Sequence, residues 1–300
     1  VTVNKGDRAF LKKFAWLSVA AAVATICLKT AAYFLTGSIG LLSDAVESLV
    51  NLAGAIMALA MLTVAARPPD EDHAYGHSKA EYFSSAVEGT LILVAALAIA
   101  VASVKRIVSP RPLEQLGMGL AVSVGASLVN LIVALVLRKA AKKHNSITLE
   151  ANSTHLMTDV WTSAGVLMGV GAVALTGWLR LDPIVALVVA GNIVWSGVAI
   201  VGKSVHGLMD TALPAGEQKK ILEIFESYRE KGVQCHALKT RQSGARRFVE
   251  FHLIVPGAWT VQDGHQMAGR MEEDVRKALP DAIVLTHLES AEDPDSWRDA

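Results

Sequence analysis

LLSDAVESLVNLAGAIMALAML, Leu41 to Leu62, has the length and apolarity of a membrane-crossing helix apart from the pentapeptide ESLVN, Glu47 to Asn51. That insert puts a carboxylate and an amide four residues apart, hence on one face of the helix. A second stretch behaves alike: ANSTHLMTDVW, Ala151 to Trp161, places His155 and Asp159 four apart inside another apolar run. A charged side chain at the centre of a bilayer costs about 3 kcal/mol or more unless a cation or water compensates it, so intramembrane acids are read first as functional groups. Lone amides such as Asn130 and Asn192 read instead as packing between helices.

The rest of the chain fits that start. Its 300 residues are 52% hydrophobic and 19% charged, and the apolar residues gather before about residue 202. Runs long enough to cross ~30 Å of hydrocarbon fall at roughly 14–36, 40–65, 83–104, 116–137, 148–178 and 182–201. The first run is long and lacks a small-residue cleavage site, so it reads as a span rather than a signal peptide. Lys5, Arg8, Lys12 and Lys13 before the first span, and Arg138, Lys139, Lys142 and Lys143 after the fourth, place both termini in the cytoplasm. The balance of 28 basic against 28 acidic residues argues against a nucleic-acid partner. Cys27 and Cys235 build no disulfide framework or CxxC site.

Depth can be counted along each helix at ~1.5 Å per residue. The second span descends from the outer side and the fifth rises from the cytoplasm, so Glu47 comes level with Asp159 and Asn51 level with His155, near the midplane. Four N and O ligands there suit a divalent transition metal, and the absence of thiolate argues against copper(I). Glu88 in the third span is a further acid, with no partner assigned by this count. In the link after span two, Asp70, His73 and His77 have metal-ligand spacing, although a solvated acidic loop with incidental histidines has it too.

Beyond Lys203 the pattern becomes that of a water-soluble domain. Helix over 217–229, strands over 233–240 and 247–255, helix over 263–279 and strand over 283–288 give the order αββαβ, with a turn at Gln242 to Gly244 and a capping pair Thr260 and Asp263. The expected architecture is a six-span α-helical membrane domain, 1–208, followed by a small α+β, ferredoxin-like domain, 209–300. His236, His252, His265 and His287, with Glu289, lie at strand ends and a helix start, which favours a second metal centre.

GSIGLLSDAVESLVN in span two, YGHSKAE at Tyr75 to Glu81, HLMTD at His155 to Asp159, MDTALP at Met209 to Pro214 and LKTRQSG at Leu238 to Gly244 together resemble the cation diffusion facilitator family. The resemblance covers nearly the whole chain. It is closest to bacterial members that export divalent metals from the cytoplasm in exchange for protons, as homodimers in the inner membrane. It implies a transport site of Glu47, Asn51, His155 and Asp159, and a second site of Asp70, His73 and His77. It also implies a dimer-interface site of His236, His252, His265 and His287, with Glu289 where Asp is usual, and an ion pair between Lys79 and Asp210 that locks the two domains. One departure bears on the cargo: zinc exporters of the family have Asp or His and then Asp where this chain has Glu47 and Asn51. Zinc is the first expectation, with iron(II), manganese, cobalt or cadmium beside it. A membrane metal sensor that does not transport is the alternative, and an intramembrane hydrolase is disfavoured by the lack of HExxH or GxSxG.

Overall fold

The computed structural model describes residues 5–36, 39–109, 117–230 and 232–298. These fall into two compact units that divide at His206.

The N-terminal unit is a helical bundle of α1 (Lys5–Thr36), α2 (Ile39–Ala65), α3 (Ala80–Val108), α4 (Gly117–His144), α5 (Ile147–Thr176) and α6 (Leu181–Leu208). Among the described residues, Phe10–Ala32, Ala80–Val108, Val124–His144 and Pro183–Leu208 are each long and apolar enough to cross a membrane, and Asn51–Ala65 is a shorter apolar stretch. Several helices run past the apolar runs that mark them in sequence. α4 continues through Arg138, Lys139, Lys142 and Lys143, and α6 through Lys203, because a helix keeps its hydrogen bonds after it leaves lipid.

What holds the bundle is close approach of small residues. Ala15, Ala58, Ala96, Ala134 and Ala151 are all buried, and Leu11, Leu62, Leu137, Leu149 and Leu156 fill the space where α1, α2, α4 and α5 meet. Ile92 and Ala96 of α3 pack with Val189 and Ile193 of α6. The outward faces are the reverse: Trp195 is 79% exposed and Val188 72% exposed, as lipid-facing side chains are. α5 starts sharply because the Ser146 side chain accepts from the Leu149 N–H, and it ends at Gly177, whose φ of 71° is the left-handed conformation that glycine adopts most readily.

The C-terminal unit has the order expected, α7 (Ala215–Arg229), β1 (Gln234–Ser243), β2 (Arg246–Val255), α8 (Val261–Ala278), β3 (Ala282–Ser290) and a final 3₁₀ turn, Pro294–Trp297. β1 pairs antiparallel with β2 and β2 parallel with β3, so β2 is the central strand. Alternation along β2 sends Val249, Phe251, Leu253 and Val255 into a core shared with Ile221 and Phe225 of α7 and Met271 and Val275 of α8. α8 opens with a capping box between Thr260 and Asp263.

Glu217 of α7 accepts from Arg247 of β2 twice, from Nε at 2.8 Å and from Nη2 at 2.8 Å. The Arg247 guanidinium holds the Glu217 carboxyl below its ordinary 4.5. A carboxyl with a lowered folded-state value stabilises fully above the unfolded value and loses that contribution as pH falls through the folded one. Glu217→Gln is therefore expected to cost this unit about 1–2 kcal/mol near neutrality in denaturant unfolding, with the cost shrinking once pH drops below about 4.5. A cost unchanged in strong acid would contradict the assignment.

Candidate functional site

α2 and α5 cross in the bundle so that Asn51, His155 and Asp159 meet. Asn51 donates through Nδ2 to Asp159 Oδ2, and its Oδ1 stands 2.7 Å from His155 Nε2. The first bond fixes which end of the amide is nitrogen. The oxygen, which only accepts, therefore takes a proton from Nε2. Asp159 Oδ2 also accepts from Asn130 Nδ2 of α4 at 3.2 Å, and the Lys29 ammonium of α1 acts on the same carboxylate electrostatically. Glu47 belongs to α2, but its side chain lies outside the described residues. Asn130 is thus tied to the site, where sequence alone reads it as packing; Asn192 is exposed on α6.

A separate set of hydrogen bonds adjoins this group. Asn152, one turn before His155, donates to Glu88 Oε1 of α3 at 3.1 Å and accepts from Ser18 Oγ of α1 at 2.7 Å. Lys29 stands inside an apolar run and is legible as an anomaly; Ser18 and Asn152 carry no such mark.

In the α2–α3 link, Asp70 gathers both histidines. Its Oδ1 accepts from the His73 backbone N–H at 2.7 Å and lies 3.0 Å from His73 Nδ1, while Oδ2 lies 3.3 Å from His77 Nε2. The two rings are 4.4 Å apart. Desolvation pushes the Asp70 carboxyl up, but the His73 amide and ring hydrogen bonds and the charges of His77 and His73 outweigh it and hold the group low. All three residues can reach one ion.

In the C-terminal unit sheet register does the gathering. His236 of β1 is the Cα partner of His252 of β2, which in turn partners His287 of β3, so three imidazoles form one row across the sheet. Successive rings are 5.0 Å apart. Phe251 and Leu253, flanking His252, point to the opposite face and the core, so the row lies away from the helices. Just after His236 the register slips, and Ala237 takes a φ of 49°; this bulge re-aims β1 at the row. Glu289, two residues past His287 and on its face, completes the cluster at 2.8 Å from His236 Nε2, 3.1 Å from His252 Nδ1 and 3.7 Å from His287 Nε2. His236, His252 and Glu289 can hold one ion among them. His265 does not join them within this chain. It is exposed on α8, which packs on the core face of the sheet, and the neighbouring Gly264 abuts Leu288, whose side chain leaves β3 opposite to His287 and Glu289. Lys79 precedes α3, and Asp210 accepts from Arg241 at 3.2 Å within its own unit.

Long apolar helices around a cluster of nitrogen- and oxygen-bearing side chains, with a second unit whose side chains could hold a metal ion, are the features of a metal-handling membrane protein. The cation efflux transmembrane domain matches residues 15–209 and the cation efflux protein cytoplasmic domain matches residues 213–291. An uncharacterised transporter of Synechocystis sp. is 48% identical over 96% of this chain and 93% of its own length. The cation-efflux pumps FieF of Salmonella arizonae and Salmonella agona are each 30% identical over 95% of this chain and 94% of their own. The chain belongs to the cation diffusion facilitator family, whose members move divalent metal cations across membranes and are transporters, not enzymes.

Proposed function

We propose that this protein exports divalent transition-metal cations from the cytoplasm in exchange for protons, as a homodimer in a bacterial inner membrane with both termini cytoplasmic. The observation that carries the reading is the meeting of Asn51, His155 and Asp159 inside the bundle. A metal arriving there is met by an imidazole, a carboxylate and an amide oxygen, with Glu47 on the same helix face as Asn51. Imidazole and carboxylate bind metal only when they carry no added proton, so metal entry displaces a proton held as imidazolium at His155 or as carboxylic acid at Asp159, and a proton arriving from outside expels metal. Alternating access of the bundle would turn that competition into exchange.

Glu47, one methylene longer than Asp, and the uncharged Asn51, standing where zinc exporters of the family have Asp or His and then Asp, make the site looser and harder, which favours iron(II), manganese or cobalt beside zinc. The pumps named FieF support efflux as the direction. Asp70, His73 and His77 are proposed as an entry-side site, the His236, His252, Glu289 cluster with His287 as a regulatory one, and Lys79 with Asp210 as the ion pair the resemblance implies. These two clusters also favour a second reading, a metal sensor that does not transport.

Reconstituted vesicles presented with zinc, iron(II), manganese, cobalt and cadmium separate the two. Transport predicts saturable metal flux accompanied by opposite proton flux, with the preferred ion giving the highest rate at low concentration. Binding without flux for every ion would leave the sensor.

A further inference from the structure

The face of α3 turned toward α5 is polar from its first turn to the middle of the bundle. Glu81, Ser84, Ser85 and Glu88 are all buried on it. At the near end Glu81 accepts from Ser146 Oγ at 2.6 Å, and Thr148 Oγ1 donates to the Glu81 carbonyl at 3.2 Å. Seven residues on, ~10 Å along the helix, Glu88 accepts from Asn152, which lies three residues before His155 on α5. Between and beyond these bonds are polar atoms that the packing does not satisfy: Ser84 Oγ and Glu88 Oε2 are buried with no hydrogen-bond partner among the described residues. Ser84 and Glu88 are four apart, on one face. Buried polar atoms are satisfied in nearly all native structures, and exceptions mark places where water, an ion or a proton is carried.

Among the described residues no cation stands beside Glu88 to fill that role. α2 presents Gly54 to it, α5 presents Asn152, whose Oδ1 accepts from Ser18 of α1, and α6 offers Ile200 and Val201 to the adjoining Gly89. Among the described residues, several ionisable groups on these helices have partners elsewhere: Glu150 with Lys203 at 2.5 Å, Glu81 with Ser146, Lys29 near Asp159, and His155 with Asn51. What Glu88 can take at its open oxygen is a proton, and the groups on either side of it lead from the metal site to the end of the bundle where α3 and α5 begin.

We propose that Glu88 is a proton-binding site on a buried seam between α3 and α5, passing the proton released at the metal site to the cytoplasmic end of the bundle. The step is a plain proton transfer: the Glu88 carboxylate takes one proton at Oε2, becomes neutral, and releases it toward Ser84 and Glu81 and then to water. The inference rests on the proton-coupled reading above.

The test uses the full-length protein in phospholipid vesicles containing a pH dye, with zinc as the probe. Glu88→Gln, which keeps the shape and the Asn152 contact, is expected to lower zinc-driven proton flux about a hundredfold, the lower end of what a positioned proton-transfer group contributes, with zinc affinity at wild-type level. Glu88→Asp is expected to restore most of the flux. Asn152→Ser should slow flux in the same direction, and it carries the test if Glu88→Gln does not assemble. Wild-type flux in Glu88→Gln, or loss of zinc binding together with flux, overturns the proposal while leaving exchange at the metal site standing. A wild-type protein that moves zinc without protons overturns the coupling reading and this proposal with it.

Discussion

Asp159→Ala is expected to abolish metal flux and metal-driven proton flux together while leaving the size of the folded protein in detergent at its wild-type value. Among the described residues Asp159 is the one carboxylate placed against His155 and Asn51, and it already accepts two amide hydrogens, from Asn51 and Asn130. Removing it leaves a divalent cation short of one negative charge inside a bundle where bulk water cannot make up the deficit. Loss of one partner from a buried charge pair costs about 3–5 kcal/mol, which corresponds to more than a hundredfold in affinity. Asp159→Asn, which keeps the shape but not the charge, should fail in the same way. Asn130→Ala should fall only about 10–100-fold, because Asn130 orients the carboxylate without needing to touch the metal. Flux surviving in Asp159→Ala would remove this group from the transport site.

Much of this was legible in the chain because two simple periodicities carry it. Glu47 with Asn51 and His155 with Asp159 are each one helical turn apart, and antiparallel depth counting brings α2 and α5 to one level without any knowledge of rotation. In the C-terminal unit helical periodicity and strand alternation together yield αββαβ to within a few residues at each end. What hydropathy does not encode is how each helix turns about its own axis. Asn152 reaches Glu88 across 64 residues of sequence, and Asn130 reaches Asp159 from a helix whose amide looks like ordinary packing. The histidine row is similar. Strand positions are readable, but the pairing of His236 with His252 and of His252 with His287 depends on a bulge and a parallel register that no local pattern announces, and His265 is set apart by which face of the sheet α8 covers.

Glu289→Ala is expected to remove metal stabilisation of the C-terminal unit. Glu289 is the hub of the row, touching His236, His252 and His287 with its two oxygens, and it supplies the only carboxylate among these four side chains. Metal held at a thousand times its dissociation constant would stabilise the folded unit by about 4 kcal/mol, and a variant that binds a thousandfold more weakly would keep only about 0.4 kcal/mol of that. The effect is read as the rise in unfolding temperature on adding zinc, large in the wild type and nearly absent in Glu289→Ala, whereas His265→Ala in the monomeric state should keep it. Trp297 offers a second readout. Its ring lies 6.4 Å from that of His236 and its indole N–H is held by the Ala291 carbonyl, so ordering of His236 by metal should alter its emission. Trp297→Phe should lose that optical change and keep the thermal one. Equal zinc stabilisation of wild type and Glu289→Ala would place regulation elsewhere. Loss of it without loss of basal flux would separate the regulatory ion from the transported one, because the three residues that meet around His155 belong entirely to the helical unit and the histidine row entirely to the other.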